Sequence, residues 1–288
     1  MTDIHSGSDP ISGDIDSGKT APAVRSDVDT ATHIAGQNVA LPAVRAATWE
    51  DLSAAINAGL ADLRASPGIS LGVGAVYALG GIAIVWMLDA GAMAALAWPL
   101  MAGFALIGPF AAVIFYEISR RRERGEGFGW ADASEMVRHT LQAQILYQGF
   151  AMMFWLAFWV HIAWMMWAVF FGVSFERFWD VADEIFTTSH GIAFLIVGHL
   201  SGAFFAAVAY AMSVVTFPYL LDRNADCVTA MIVSFRTVAA SPVVMFAWAA
   251  MIGVAIAVAS LPMFVGLVVV LPLLGHASWH LYRRLVAA

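Results

Sequence analysis

The sequence predicts an all-α integral membrane protein: six transmembrane helices arranged as three hairpin repeats, each preceded by a cytoplasmic interfacial amphipathic helix. Three observations lead there. The chain is 61% hydrophobic and only 12% charged, about half the charged fraction of a soluble domain, and its mean hydropathy is +0.77. Its apolar residues collect in six long runs. Ahead of the first, third and fifth runs stands a segment too polar to cross a bilayer yet periodic like a helix.

A hydrocarbon layer of about 30 Å takes roughly 20 apolar residues of helix. The stretches that qualify are about 69–88, 93–116, 145–171, 191–219, 242–261 and 263–282. The third and fourth exceed the need, which predicts tilt or projection. The DAGA turn at 89–92 and the break near Leu261-Pro262 leave room only for helical hairpins.

Orientation follows from the basic residues, which are retained on the cytoplasmic side. Segments 1–68, 117–144, 220–241 and 283–288 hold 4, 5, 2 and 2 of the 14 Lys and Arg, and the opposite side holds only Arg177. Both termini are therefore expected in the cytoplasm. Residues 1–47, rich in Asp, Ser, Gly and Thr, read as a disordered cytoplasmic tail and not as a signal peptide. Residues 48–288 form the membrane domain. The net charge of −7 comes mostly from that tail and from 172–190, and nothing indicates a nucleic-acid surface. The single Cys227 excludes an internal disulfide.

The polar segments resemble one another. RNADCVTAMIVSFRTVAASP (223–242) as a helix puts Val228, Met231, Ile232, Phe235 and Val238 on one face, the pattern of an interfacial helix. A shift of 175 from TWEDLSAAINAGLADLRASP (48–67) aligns Asp51 with Asp226 and Ala65-Ser66-Pro67 with Ala240-Ser241-Pro242, without a gap. A shift of 81 from the same copy brings in 130–149 and pairs Asp51 with Asp132. The repeat units are about 48–123, 130–223 and 224–288. Two spans per unit keep the copies in one orientation, so a pseudo-symmetry axis runs along the membrane normal.

AGFALIGPFAAVIFYEISRRRERGE (102–126), FPYLLDR (217–223), TAMIVSFRTVAASP (229–242) and VVVLPLLGHASWHLYRR (268–284) resemble a bacterial inner-membrane family catalogued as domain of unknown function 2189. The resemblance covers roughly 49–285. It implies the membrane architecture and the inner-membrane location, and it carries over no catalytic residues.

Several residues are candidates for chemistry or contact. His161 and His199 are ionisable groups at span depth, where such groups are costly. Read as a pair, they offer a metal or haem site or a proton relay. We favour inward-pointing rings, each hydrogen-bonded locally. His276 and His280 lie i, i+4 near Trp279, Tyr282 and Arg283, and read as interfacial or head-group contacts. Arg120, Arg121, Arg122 and Arg124 form a basic cluster that suits anionic head groups. The alternative is a topogenic cluster partly neutralised by Glu117, Glu123 and Glu126. Gly198 and Gly202 make a GxxxG for close helix packing. No P-loop, dinucleotide fingerprint or Ser/His/Asp pattern is present, and Asp89 and Glu117 stand at span ends.

We therefore expect a protein without enzymatic activity, cofactor or bound metal that organises or assists other membrane components. Its partners are the lipid bilayer, other membrane proteins or a second copy of the chain. The alternative is a transporter or channel for a small or amphiphilic solute. A third reading is a haem- or metal-binding redox accessory.

Overall fold

The computed structural model describes residues 41–89, 97–139, 143–172 and 185–287. The rest of the predicted tail, the connection at 90–96 and the acidic stretch at 173–184 lie outside the described residues. The compact unit begins at Leu41, ahead of the boundary at 48 expected from composition.

Every regular element among the described residues is a helix. In chain order they are α1 (Trp49–Ala65), α2 (Pro67–Asp89), α3 (Ala97–Glu123), α4 (Trp130–His139), α5 (Ala143–Phe171), α6 (Ser189–Ser213), α7 (Thr216–Asp222), α8 (Cys227–Ala240), α9 (Pro242–Ser260) and α10 (Leu267–Leu285). Four helical stretches are long and apolar enough to cross a bilayer: Pro67–Met87, Gln144–Phe171, Ser189–Asp222 and Pro242–Ser260. The second and sixth predicted spans are not among them. The second begins in residues outside the description, and α3 closes on EISRRRE. The second half of α10 is spent on Gly, His, Ser and Arg, with Pro272 inside the helix.

Capping chemistry sets where the polar helices begin. Thr48 and Asp51 form a reciprocal capping box at the start of α1, with Thr48 N–H donating to Asp51 Oδ2 at 2.9 Å. Before α4 the Gly129 N–H donates to Asp132 Oδ2 at 2.8 Å, again from three residues upstream. Asp226 instead caps α8 directly, accepting from Thr229 N–H at 2.9 Å. At their other ends α1 and α8 both stop on a serine in non-helical conformation, Ser66 and Ser241. A proline then opens the next helix, where its missing N–H costs nothing.

The same shift of 175 also aligns buried positions. Leu52, Ala55, Gly59, Asp62 and Leu63 are buried in α1, and Cys227, Ala230, Ser234, Thr237 and Val238 are buried in α8. In α8 the large side chains Val228, Ile232 and Phe235 stay exposed while small and hydroxyl residues turn inward. Ser234 is buried because it serves the backbone: it accepts from the Val215 N–H at 3.1 Å, where α6 gives way to α7. Val238, expected on the exposed apolar face, is also buried.

Helix α10 is the hub. Trp279, Leu281, Tyr282 and Leu285 in its second half are almost completely buried. They join Tyr116, Phe217 and Val233 on one side and Leu52, Ala55, Met245 and Trp248 on the other. Close approach requires glycine at two crossings. A Cβ on Gly59 of α1 would lie 2.6 Å from the Ala277 backbone nitrogen, and one on Gly74 of α2 would lie 2.5 Å from the Val268 carbonyl oxygen. The α9–α10 turn carries Met263 and Phe264 at positive φ, 51° and 63°, a region costly for residues with a Cβ.

Residues before α1 tie back to the end of α10. Val44 and Val286 form an isolated antiparallel bridge. Arg45 N–H donates to the Leu285 carbonyl at 2.8 Å and Ala287 N–H to the Ala43 carbonyl at 3.0 Å. Ala47 N–H donates to Ser241 Oγ at 2.8 Å.

Candidate functional site

The densest polar chemistry among the described residues lies where α1, α3, α7 and α10 end together. Helical spacing places His276, Trp279, His280 and Arg283 of α10 along neighbouring rows of one side. His276 is wholly buried, its Nε2 3.0 Å from Ser70 Oγ and its Nδ1 2.8 Å from Ser119 Oγ. Both serines are wholly buried as well. A hydroxyl donates or accepts, so the two serines satisfy both ring nitrogens in either neutral tautomer.

One turn along, His280 Nε2 donates to Asp62 Oδ2 at 2.7 Å, and its Nδ1 lies 3.7 Å from Glu123 Oε1. Arg122 reaches Asp62 at 3.1 Å. Glu123 accepts from Trp279 Nε1 at 3.0 Å and pairs with Arg283 at 3.2 Å. Asp222 accepts from the Tyr282 hydroxyl at 2.8 Å and from Arg283 at 3.3 Å. Outermost, Asp51 takes Arg45 at 2.7 Å and Arg284 at 3.5 Å, and Arg223 donates to the Ala287 carbonyl at 2.8 Å.

Two carboxyls here are shifted. Burial pushes Asp62 up, but hydrogen bonds from His280 and Ser119 and the nearby imidazoles outweigh it, so the net direction is down. The Arg45 hydrogen bond, aided by Thr48 and opposed by burial, holds Asp51 well below the usual carboxylate range. Both remain anions, with cations or donors already in place. Chemically the arrangement is a lock: it joins four helices through charge-assisted hydrogen bonds, and each acid already has its partner.

The sequence-derived candidates fall in different places. His276 and His280, expected against head groups, turn into the bundle, because Ser70, Ser119 and Asp62 supply their partners there. The arginine cluster is largely engaged internally. Arg120 and Arg121 share Glu117 at 2.6 and 2.8 Å. Arg121 also reaches Asp132 at 2.9 Å and lies over the Phe128 ring. Arg122 serves Asp62, while Glu123 serves α10 instead of the cluster. The rings of His161 and His199, expected to point inward, are exposed. His199 Nδ1 donates to the Leu195 carbonyl of its own helix at 2.7 Å, and the His161 ring stacks near Trp164, also in its own helix. A backbone carbonyl one turn back satisfies His199 without an inward rotation. No group of three or more metal-ligating side chains is found among the described residues. Gly202 faces the Trp159 ring of α5 at 3.6 Å from a would-be Cβ, whereas Gly198 has nothing within 4 Å.

Sequence reasoning missed Asp62, Ser70, Ser119 and Asp222. A signal for Asp62 existed: it shares the α1 stripe of Leu52, Ala55, Gly59 and Leu63, where a charge needs a partner from another helix. The serines carried no such signal.

No curated protein and no solved structure matches the chain. The family model of a predicted integral membrane protein, DUF2189, does match, over a shorter stretch than the 49–285 expected from the motifs. The match runs from residue 96 to residue 222, through α3 to α7.

Proposed function

We propose that this chain is a six-span protein of a bacterial inner membrane, with both termini cytoplasmic, that organises or assists other membrane components without catalysing a reaction. The observation that carries the proposal is the bareness of the α5–α6 hairpin. In its two apolar stretches 0% and 6% of residues are buried, against 28% and 22% in those of α2 and α9. The carboxylates of the α10 cluster already have partners within the chain, so this hairpin is the part with apolar surface to spare. Aligned buried positions and matching Ser-Pro breaks support the kinship of the first and third units, and the Gly129–Asp132 cap supports counting the second with them, about an axis along the membrane normal. The thirteen-to-one division of basic residues supports the orientation.

The test is a mild-detergent pull-down from native membranes, comparing the chain with a Phe154→Ala/Leu200→Ala variant of that exposed hairpin surface. A membrane protein retained by the first and lost from the second supports the organising role. Retention unchanged by the variant, or no specific partner, overturns it.

The alternative, handling of an amphiphilic solute, draws on a cavity of about 590 Å³ among α2, α3, α9 and α10. Uptake of a fluorescent amphiphile by liposomes containing the purified chain, above that of empty liposomes, is the discriminating result.

A further inference from the structure

We infer that this cavity is a binding site for one hydrocarbon chain of a membrane amphiphile, held at span depth. The inference goes beyond the organising role and does not depend on it. The volume of about 590 Å³ falls within the roughly 300–1,000 Å³ of small-molecule sites. The α10 wall runs from Leu267 to Ser278, about 16 Å at 1.5 Å per residue. The space is therefore elongated along the helices, as an extended chain requires. Two of its walls, α2 and α9, are helices apolar enough to cross a bilayer.

The lining decides the occupant. Ile84, Val85, Ile252, Ile256, Leu271 and Leu274 line it, and its lining holds no charged residue. The small residues Gly108 and Ala112 stand on its α3 wall, where a Cβ on Gly108 would lie 3.2 Å from the Tyr77 hydroxyl. The cavity's hydroxyls are those of Tyr77, Tyr116, Ser260 and Ser278, of which Ser260 donates to the Ile256 carbonyl of its own helix at 2.8 Å. A water needs two to four polar partners, and the isoleucine and leucine side chains supply none. A dry void would forfeit the dispersion contacts of every lining atom. The medium at this depth is hydrocarbon, and a hydrocarbon chain has both the shape and the chemistry of the space.

The experiment places the full chain in nanodiscs of phosphatidylethanolamine and phosphatidylglycerol. In separate arms it adds a phospholipid or a long-chain fatty acid carrying a mid-chain diazirine. Photolysis and peptide mapping should put cross-links on Ile252, Ile256, Leu271 and Leu274, saturable by the unlabelled compound. The arm that labels identifies the source, and labelling in either supports the site. Ala112→Phe should reduce labelling about tenfold, the effect of a loss of 1.4 kcal/mol in affinity. Val243→Phe, on the exposed side of α9, should leave it unchanged. If Ala112→Phe does not give a monodisperse helical protein, Ser278→Leu enters the same space from the α10 wall. Labelling that is unsaturable and spread over α5 and α6, or that persists undiminished in a well-folded filled variant, overturns the inference.

Discussion

The imidazole of His280 and the carboxylate of Asp62 lie 2.7 Å apart although 218 positions separate them in the chain. Their contact fastens α1 to α10. His280→Ala leaves Asp62, whose side chain is 8% exposed, with Arg122 as its remaining cation. A cost of about 1–3 kcal/mol is expected, read as a lower thermal midpoint in detergent. The Asp62→Ala/His280→Ala double variant should lose less than the sum of the single losses. Additive losses would mean that the two groups do not act together.

The buried Ser70–His276–Ser119 contact is a stricter case, since all three residues lack solvent. His276→Leu should cost about 1–3 kcal/mol for the Ser70 hydroxyl it strips of this partner, whereas Ser119 keeps its hydrogen bond to Asp62. Adding Ser70→Ala to that variant should restore part of the loss. Helix content and midpoint, measured together, separate this from general misfolding.

Acid should loosen the same end of the molecule. Asp51 and Asp62 are held below the ordinary carboxyl value of 3.8. Their folded forms bind protons more weakly than the unfolded chain does. The stability they contribute is therefore present above the unfolded carboxyl pKa and is lost as pH falls through the folded-state values. The thermal midpoint should begin to drop below about pH 4. Asp51→Asn should lower the midpoint at neutral pH, by about 1 kcal/mol of stability, and make the acid decline shallower. An unaltered acid slope in that variant counts against Asp51 as a contributor.

Glycines distinguish a required close approach from a sequence motif. Gly59→Ala puts a methyl 2.6 Å from the Ala277 backbone and should destabilise by about 1–3 kcal/mol. Gly198→Ala, with open space around it, should stay within about 0.5 kcal/mol of the parent. Equal midpoints for the two variants would contradict the α1–α10 crossing.

Topology is open to a direct test. Reporter fusions near Ala182, which lies outside the described residues, should report the periplasmic side, and fusions after Ala288 the cytoplasm. A cytoplasmic signal near Ala182 sinks the six-span arrangement.

Element type was legible in this sequence because apolar runs, Ser-Pro breaks and capping residues are local. Thr48 and Asp51 cap α1 from within four residues of each other, and the Ser-Pro pairs at 66–67 and 241–242 break the helix where they stand, so these starts and stops could be read directly. The partners of His276 and His280 were not legible. Their environment depends on which helices α10 crosses, and a histidine beside Trp279, Tyr282 and Arg283 has the same neighbours in sequence whether it meets lipid or Asp62. His199 failed in the opposite sense: a carbonyl four residues back met its need at the surface. The hydroxyls of Ser70 and Ser119 gave no warning, since serine is tolerated on either side of a span.

The tie between residues 43–47 and the last turn of α10 has a consequence for biogenesis. During synthesis α1 is made long before its partner helix. At about 5–20 residues per second, the 218 positions between Asp62 and His280 take about 10–45 s to translate. For that interval Asp62 stands without the imidazole that will pair with it, and Ser70 and Ser119 wait 206 and 157 positions for His276. A ribosome stalled before Gly275 would therefore release a chain whose early helices are inserted but unlatched, a natural substrate for membrane proteolysis.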